Sequence, residues 1–140
     1  MNWNDMIIAE FRENEGRTER FGARLLLLHT TGAKSGEARV SPMMYFAEPE
    51  GLFVVASKAG SPENPAWFHN LKAHPSVSVE QATDHGIVSF DATAAPVDPE
   101  LRDALFARFA AQNPGFAGYQ ENTSRIIPVV QLHPTEGNAS

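Results

Sequence analysis

Three apolar segments follow one another closely between residues 24 and 57. They span about residues 24–31, 37–46 and 52–57, and short runs containing glycine or proline separate them. This pattern is typical of β-strands joined by turns. Parallel strands need a crossover of about a dozen residues or more, and these connections are much shorter. The sequence therefore predicts an antiparallel meander and disfavours a parallel doubly wound sheet.

Further strands and helices are predicted around this meander. Apolar residues at helical spacing indicate one helix, and two Asx-Pro pairs have the form of helix starts, with a capping side chain followed by proline at the first helical position. Helices are expected at about 3–13, from 65 to before Pro75, and at 99–112, and strands at 77–81, 86–96 and 126–132. Six strands and three helices predict one antiparallel α+β domain over residues 1–140, closed into a small barrel. The polar tail from about residue 135 is expected to be disordered.

The helix at residues 3–13 carries an apolar face formed by Trp3, Met6, Ile7 and Phe11. Such a face could pack on the barrel or lie on a membrane surface. The polar side is acidic and lacks the Lys and Arg that favour anionic lipid, so packing is the preferred interpretation. Peripheral contact with the inner face of the cell membrane is the alternative.

The composition excludes several classes of function. A net charge of −6 argues against binding nucleic acid, and the absence of cysteine rules out disulfides and thiolate metal sites. No apolar run approaches the roughly 18 residues of a membrane span. The N-terminus lacks a secretory signal, so cytoplasmic residence is expected.

The positive charges are concentrated in the first part of the chain. Seven of the eleven Lys and Arg lie between Arg12 and Lys58. In an antiparallel meander, three cations can meet at one end of the sheet. They are Lys34 in the first turn, Arg39 at the start of the second strand and Lys58 after the third strand. Together with the hydroxyls of Ser35 and Ser57, they predict a site for an anionic small molecule.

Other chemistries fit the sequence poorly. The run from Gly32 to Gly36 lacks the first glycine of a phosphate-binding loop and leads into a strand rather than a helix. It also lacks the Gly-x-Ser-x-Gly spacing of a serine hydrolase. His69 and His74 are five residues apart and would not share a helix face as metal ligands. His29, inside an apolar strand, is interpreted as a satisfied core residue.

Three separated motifs resemble the deazaflavin (F420)-dependent nitroreductases and F420H2-dependent quinone reductases. They are Leu-Leu-x-Thr-Thr-Gly-x-Lys-Ser-Gly-x-x-Arg-Val-x-Pro at residues 27–42, Val-Ala-Ser-Lys-x-Gly at 55–60, and Asn-Pro-x-Trp-x-x-Asn-Leu-Lys-Ala-x-Pro at 64–75. Short matches at residues 10–16 and 125–129 extend the resemblance over nearly the whole chain.

The resemblance implies a split β-barrel that holds coenzyme F420 in a groove at the strand ends. The residues that it implies fall into three groups. The phosphate and polyglutamate tail would be held by Ala33, Lys34, Ser35, Arg39 and Lys58. The deazaflavin ring would be lined by Ser41, Pro42, Met43, Val55, Ala56 and Ser57. The lactyl-phosphate and the ring edge would be covered by Ala66, Trp67, Phe68 and Asn70.

The implied reaction is hydride transfer from C5 of reduced F420 to a quinone, an enone or a nitroaromatic acceptor. Ser57 and Tyr119 are the candidates for supplying a proton or a hydrogen bond to the reduced oxygen. The quinone-reducing relatives carry tyrosines spaced by three before the last strand, whereas this chain has Asn113 and Phe116 and keeps only Tyr119. The alternatives are an FMN-dependent oxidoreductase on the same barrel and a non-catalytic F420 carrier or sensor, either as a monomer or as a homodimer.

Overall fold

The structure is a computed structural model that describes residues 3–57, 60 and 63–135. Two of the sequence predictions concern residues outside these ranges. Lys58, predicted to bind the cofactor tail, and the predicted disordered tail beyond Thr135 lie outside the described residues.

Over the described residues the chain forms four helices and seven strands. In chain order they are α1 (Trp3–Glu13), β1 (Leu25–Thr31), β2 (Ala38–Met44), β3 (Phe46–Glu48), β4 (Gly51–Val55), α2 (Ala66–Ala73), β5 (Ser76–Thr83), β6 (Gly86–Pro96), α3 (Pro99–Gln112), α4 (Gly115–Glu121) and β7 (Val129–Pro134). This mixture of helices with an antiparallel sheet confirms the α+β class.

The strands form one antiparallel sheet in the order β2-β1-β5-β6-β7-β4-β3. Seven strands are described where about six were predicted, because the predicted strand at 37–46 is divided at Tyr45. There the chain leaves β1 and pairs with β4 instead. Two hydrogen bonds fix Tyr45 at this point. Its backbone N–H donates to the Arg24 carbonyl oxygen (3.2 Å), and its hydroxyl donates to the Ala82 carbonyl oxygen (2.7 Å). The pairings leave β2 and β3 as edges, so they do not establish the closed barrel that was predicted.

The strand directions bring two distant segments to the same edge of the sheet. Four antiparallel pairings separate β1 from β4, so these two strands run in the same direction. Thr31, at the end of β1, and Val55, at the end of β4, therefore lie at one end of the sheet. The turn after the first strand was predicted to share an end with the close of the strand at 52–57, as in a three-stranded meander. The two do share an end, but β2 and β4 are not neighbours in the sheet, so the predicted meander is interrupted at Tyr45.

The four leucines at residues 25–28 show no alternation of apolar and polar side chains, which predicts a strand covered on both faces. Both faces of β1 are indeed buried. Leu26 and Leu28 pack with Val54, Val79 and other residues of the sheet's inner face. Leu25 and Leu27, on the opposite face, pack against α1. A third cluster joins α3 and α4 to β3, β4 and β7. The two faces of β1 therefore belong to two different hydrophobic clusters.

Helix α1 packs on the sheet through Ile7 and Phe11, which are buried against Leu25 and Leu27. This is the packing that the sequence favoured over a membrane surface. Trp3 and Met6 of the same helix remain about half exposed, at 53% and 54%. Within residues 3–57, 60 and 63–135, no helix is long and apolar enough to cross a bilayer.

The two predicted helix starts have different outcomes. Asp98 caps α3 as predicted, because its side chain accepts a hydrogen bond from the Leu101 N–H (2.9 Å). The cap of α2 is Pro65, not Asn64, and it makes no side-chain capping bond. The Asn64 side-chain oxygen accepts instead from Arg125 (2.8 Å), 61 residues away. Helix α4, at Gly115–Glu121, was not among the predicted helices.

Candidate active site

A pocket of about 520 Å³ lies where β2, the end of β4, the start of α2 and α4 meet. This volume falls within the roughly 300–1,000 Å³ that is typical of small-molecule clefts. Eight of the predicted site residues line it: Ser41, Pro42, Met43, Val55, Ser57, Ala66, Trp67 and Tyr119. Five further residues complete the lining: Asn4, Met44, Pro65, Asn113 and Phe116. Segments far apart in the sequence therefore form one concave surface.

Strands β2 and β4 supply two walls of this pocket. Ser41 and Met43 are two residues apart on β2 and so share a face. Pro42 lies between them and has no N–H to donate, which an edge strand such as β2 tolerates. Val55 is the last residue of β4, and Ser57 follows it by two residues. The hydroxyls of Ser41 and Ser57 have no hydrogen-bond partner among the described residues, so both are available to a ligand.

The start of α2 forms the third wall, and only its first turn faces the pocket. Ala66 and Trp67 line the pocket, whereas Phe68 is 6% exposed and packs in the inner core. Asn70 is 8% exposed, and its side chain accepts from the Ala33 N–H (2.9 Å) and donates to the Thr30 hydroxyl (3.2 Å). Phe68 and Asn70 thus position the wall and the neighbouring turn and do not line the pocket. The Ala56 side chain, with no exposure, is likewise in the core.

Helix α4 forms the fourth wall and is held by Gln120. The side-chain oxygen of Gln120 accepts from Nη2 of Arg102 (2.6 Å) and from the Ile127 N–H (3.0 Å). Its Nε2 donates to the Arg125 carbonyl oxygen (2.7 Å). Tyr119, one residue earlier, faces the pocket and packs edge-on against the buried Phe116 ring at 6.0 Å between centroids. Its hydroxyl has no protein partner among the described residues.

Arg125 joins two walls of the pocket, and sequence reasoning did not select it as a site residue. Nη1 donates to the Ala56 carbonyl oxygen (3.1 Å) and to the Asn64 side chain (2.8 Å), and Nη2 donates to the Ser57 carbonyl oxygen (2.7 Å). These bonds tie the end of β4 to the segment before α2. Burial lowers the pKa of the Arg125 guanidinium below its ordinary value. Its place in the motif at residues 125–129 was the one available signal, and that motif does not show which atoms it binds.

Gly60 lies against α4 at a distance that only glycine allows. Its φ is +78°, and a Cβ at this position would lie 2.7 Å from the Tyr119 carbonyl oxygen. Its N–H donates to the Ser57 carbonyl oxygen (2.9 Å). The glycine therefore lets this part of the chain pack directly on the backbone that carries Tyr119.

The predicted cation cluster is only partly described. Lys34 and Ser35 lie in the exposed turn at residues 32–36, and neither they nor Arg39 line the pocket. Lys34 has no ion-pair partner among the described residues, whereas Arg39 pairs with Glu37 at 3.1 Å. The Ser35 hydroxyl accepts from the Glu37 N–H (3.1 Å). Since Lys58 lies outside the described residues, the convergence of all three cations stays a prediction.

His29 is satisfied by a carboxylate on the neighbouring strand. Its Nε2 lies 2.5 Å from Oε2 of Glu80, and Nη2 of Arg12 donates to the same oxygen at 2.9 Å. Burial acts to raise the pKa of Glu80, but the hydrogen bonds from Arg12 and His29 outweigh it and hold that pKa below its ordinary value. Across the described parts of the chain, no group of three or more His, Asp or Glu side chains is arranged to hold a metal ion.

Comparison with known proteins identifies similar chains over nearly the full length. Residues 3–134 match the family model described as F420H(2)-dependent quinone reductase. An F420H(2)-dependent quinone reductase of Mycobacterium tuberculosis is 40% identical over 126 residues, which cover 84% of this chain and 82% of that protein.

Solved structures show the same similarity. An F420-H2 dependent reductase is 37% identical, with a TM-score of 0.67, over 79% of this chain and 94% of that one. A structure described as a domain-swapped dimer is 34% identical, with a TM-score of 0.69, over 92% of this chain and 98% of that one. A heme storage protein of Vibrio cholerae, at 23% identity and a TM-score of 0.64, shares the fold alone.

Proposed function

Because the chain belongs to the F420H(2)-dependent quinone reductase family, we propose that the pocket lined by β2, β4, α2 and α4 is where it reduces a quinone with coenzyme F420. The protein is an oxidoreductase, and its cofactor is F420. The location of the site is supported by one observation above all. Residues of three separated motifs, at 27–42, 55–60 and 64–75, contribute side chains to a single pocket.

The pocket residues fit the flat ring of a deazaflavin. Met43, Val55 and Trp67 provide apolar surface for the ring faces, and the hydroxyls of Ser41 and Ser57 are free to bond polar atoms at its edges. When bound, reduced F420 supplies the hydride, and the protein contributes orientation and hydrogen bonds. Ala56, the residue directly after β4, contributes through its backbone rather than through its side chain, which is buried in the core.

The cofactor's phosphate and carboxylates are assigned to the turn at residues 32–36 and its surroundings. Lys34 and Arg39 supply positive charge there, Ala33 and Ser35 supply backbone and hydroxyl groups, and Lys58 is the predicted third cation. The proposal is supported by the shared sheet end of β1 and β4 and by the Asn70 bonds that link this turn to α2. Guanidinium and ammonium groups suit phosphate and carboxylate ligands.

The hydroxyls of Tyr119 and Ser57 are assigned to the acceptor's oxygen. The two residues line the pocket from different walls, and neither hydroxyl has a hydrogen-bond partner among the described residues. Reduction of a carbonyl places negative charge on oxygen, which a positioned hydroxyl stabilises by donating a hydrogen bond or a proton.

The sheet is further assigned as a split β-barrel. The two edge strands, β2 and β3, are consecutive in the chain, and the pocket takes side chains from both β2 and β4. A sheet whose edges are joined in this way can curl until its two flanks face each other. A homodimer is the assembly proposed, since one relative of 34% identity is described as a domain-swapped dimer; light scattering after size-exclusion chromatography would test it.

Fluorescence titration with F420 and FMN side by side tests the proposed cofactor. F420 fluorescence should be quenched with a Kd of at most about 1 µM, which corresponds to about −8 kcal/mol. FMN should bind much more weakly. Equal affinity for FMN, or no quenching by F420, would overturn the proposal. Steady-state oxidation of F420H2 with a panel of quinones then separates an enzyme from a carrier, which would bind without turnover.

A further inference from the structure

The side chain of Asn113 lies in the pocket wall at the junction of α3 and α4. Asn113 is the C-cap of α3, where its backbone N–H donates to the Phe109 carbonyl oxygen (2.8 Å). The side chain is half-buried and lines the pocket beside Phe116 and Met44.

The hydrogen bonds of this carboxamide determine which of its two ends faces Met44. The Gly115 N–H can only donate, and its partner at 3.3 Å is the Oδ1 of Asn113. The amide nitrogen is therefore directed the other way, where its nearest partner is the Met44 sulfur at 3.8 Å. A thioether is a weak hydrogen-bond acceptor. A strong donor thus lies in an apolar wall without a strong acceptor among the described residues.

We propose that the Asn113 side-chain amide donates a hydrogen bond to a carbonyl oxygen of the electron acceptor and thereby selects acceptors that carry a carbonyl. This inference rests on the proposed function and specifies the acceptor end of the same pocket. A half-buried donor gains most from a ligand that supplies the missing acceptor, and an acceptor molecule without a carbonyl leaves it unpaired.

The same bond would assist the reaction itself. In the two-electron reduction of a quinone, a hydride adds to the conjugated system, the carbonyl oxygen becomes negative, and a proton from solvent completes the hydroquinone. The hydride comes from the reduced cofactor of the proposed activity. A fixed N–H donor strengthens its bond as charge grows on the oxygen, so the effect is expected in kcat/KM as well as in binding.

Two substitutions remove the donor while keeping an oxygen for the Gly115 N–H. Asn113→Ser is neutral and too short to reach the ligand, and Asn113→Asp keeps the size and replaces the NH2 by oxygen. The measurement is kcat/KM for menadione, a naphthoquinone, relative to kcat/KM for an uncharged phenazine, which accepts hydride without a carbonyl. This ratio should fall at least tenfold in Asn113→Ser and further in Asn113→Asp, whose charge opposes the developing negative oxygen.

Gln112→Ser is the matched control, because it removes a carboxamide from the adjacent, exposed position that does not line the pocket. It should leave the ratio unchanged. A second readout needs no turnover. Equilibrium dialysis measures the Kd of menadione for protein loaded with oxidised F420. This Kd should rise at least fivefold in Asn113→Ser and Asn113→Asp but not in Gln112→Ser.

The outcomes separate this inference from the proposed function. If the unsubstituted protein neither binds F420 nor oxidises F420H2, the proposed function fails. If it does both, and the ratio in Asn113→Ser and Asn113→Asp stays within twofold of the original, the role of Asn113 is overturned and the proposed function stands. Should Asn113→Ser not fold, the result for Asn113→Asp decides.

Discussion

The pocket and the turn at residues 32–36 are the two halves of the proposed cofactor site, and they are built in opposite ways. The pocket walls are tied together by buried or half-buried groups, above all Arg125 and Gln120. The turn is exposed along residues 33–37, and the Asn70 side chain bonds it at the Ala33 N–H. One half has its shape before a ligand arrives. The other half offers charge that a ligand can order.

This difference predicts different physical behaviour in the two halves. Preformed apolar walls contribute to binding with little ordering cost and little dependence on salt. Exposed cations act through longer-range attraction that dissolved ions screen over about 8–10 Å at physiological ionic strength. Substitutions in the pocket should therefore affect stability and turnover, and substitutions in the turn should affect cofactor affinity in a salt-dependent way.

The largest effect is expected from Arg125→Met. The change keeps an apolar stem but removes the bonds to Ala56, Ser57 and Asn64, which join the two walls. Hydrogen bonds to charged groups contribute on the order of 1.5–3 kcal/mol each and are not additive, so the free energy of unfolding should fall by about 2–3 kcal/mol. Urea denaturation measures it.

Arg108→Met is the matched control for this substitution. Arg108 also binds several oxygens, from Glu48 and Glu50, but it does so on an exposed surface. Exposed ion pairs contribute little, so the urea midpoint should change only slightly. Equal losses in both variants would show that the pocket is no more firmly held than the surface.

Tyr119→Phe is expected to have the next largest effect, on turnover. If the hydroxyl acts on the acceptor's oxygen, kcat should fall about tenfold or more while the Kd for F420 stays within about twofold. Tyr45→Phe is the control, since the Tyr45 hydroxyl bonds the Ala82 carbonyl oxygen in the sheet and does not line the pocket. It should lower stability and leave kcat nearly unchanged. A change confined to KM in Tyr119→Phe would reject the proposed role.

The fold could be predicted wherever local signals decide it. The four leucines of β1, the Asp98 cap and the tight turns all act over a few residues, and their predictions are confirmed. The division at Tyr45 could not be predicted, because the apolar alternation continues through it and only the change of partner from β1 to β4 ends one strand. Asn64 carries the same capping signal as Asp98, but a distant arginine binds its side chain.

The site residues could be predicted to a similar extent and for similar reasons. Strand periodicity placed Ser41 and Met43 on one face, and family resemblance supplied their link to Val55, Ser57 and Trp67. The same resemblance included Phe68 and Asn70, whose side chains turn out to support the walls from the core. Which residues of α2 face the pocket depends on how the helix is docked. That orientation is set by packing, which the spacing of the motif does not contain.

The smallest effect is expected from Lys34→Gln, and it tests the exposed half. Lys34 has no ion-pair partner among the described residues, so its charge is available to the cofactor's phosphate and carboxylates. Affinity for F420 should fall about fivefold at low salt and by less than about twofold at 0.5 M salt, where the Debye length is only a few ångströms. Arg24→Gln removes the same charge at the opposite end of β1 and should have little effect at either salt concentration. A loss in Lys34→Gln that persists at high salt would mean that the turn is fixed on the ligand as firmly as the pocket, and the contrast between the two halves would then disappear.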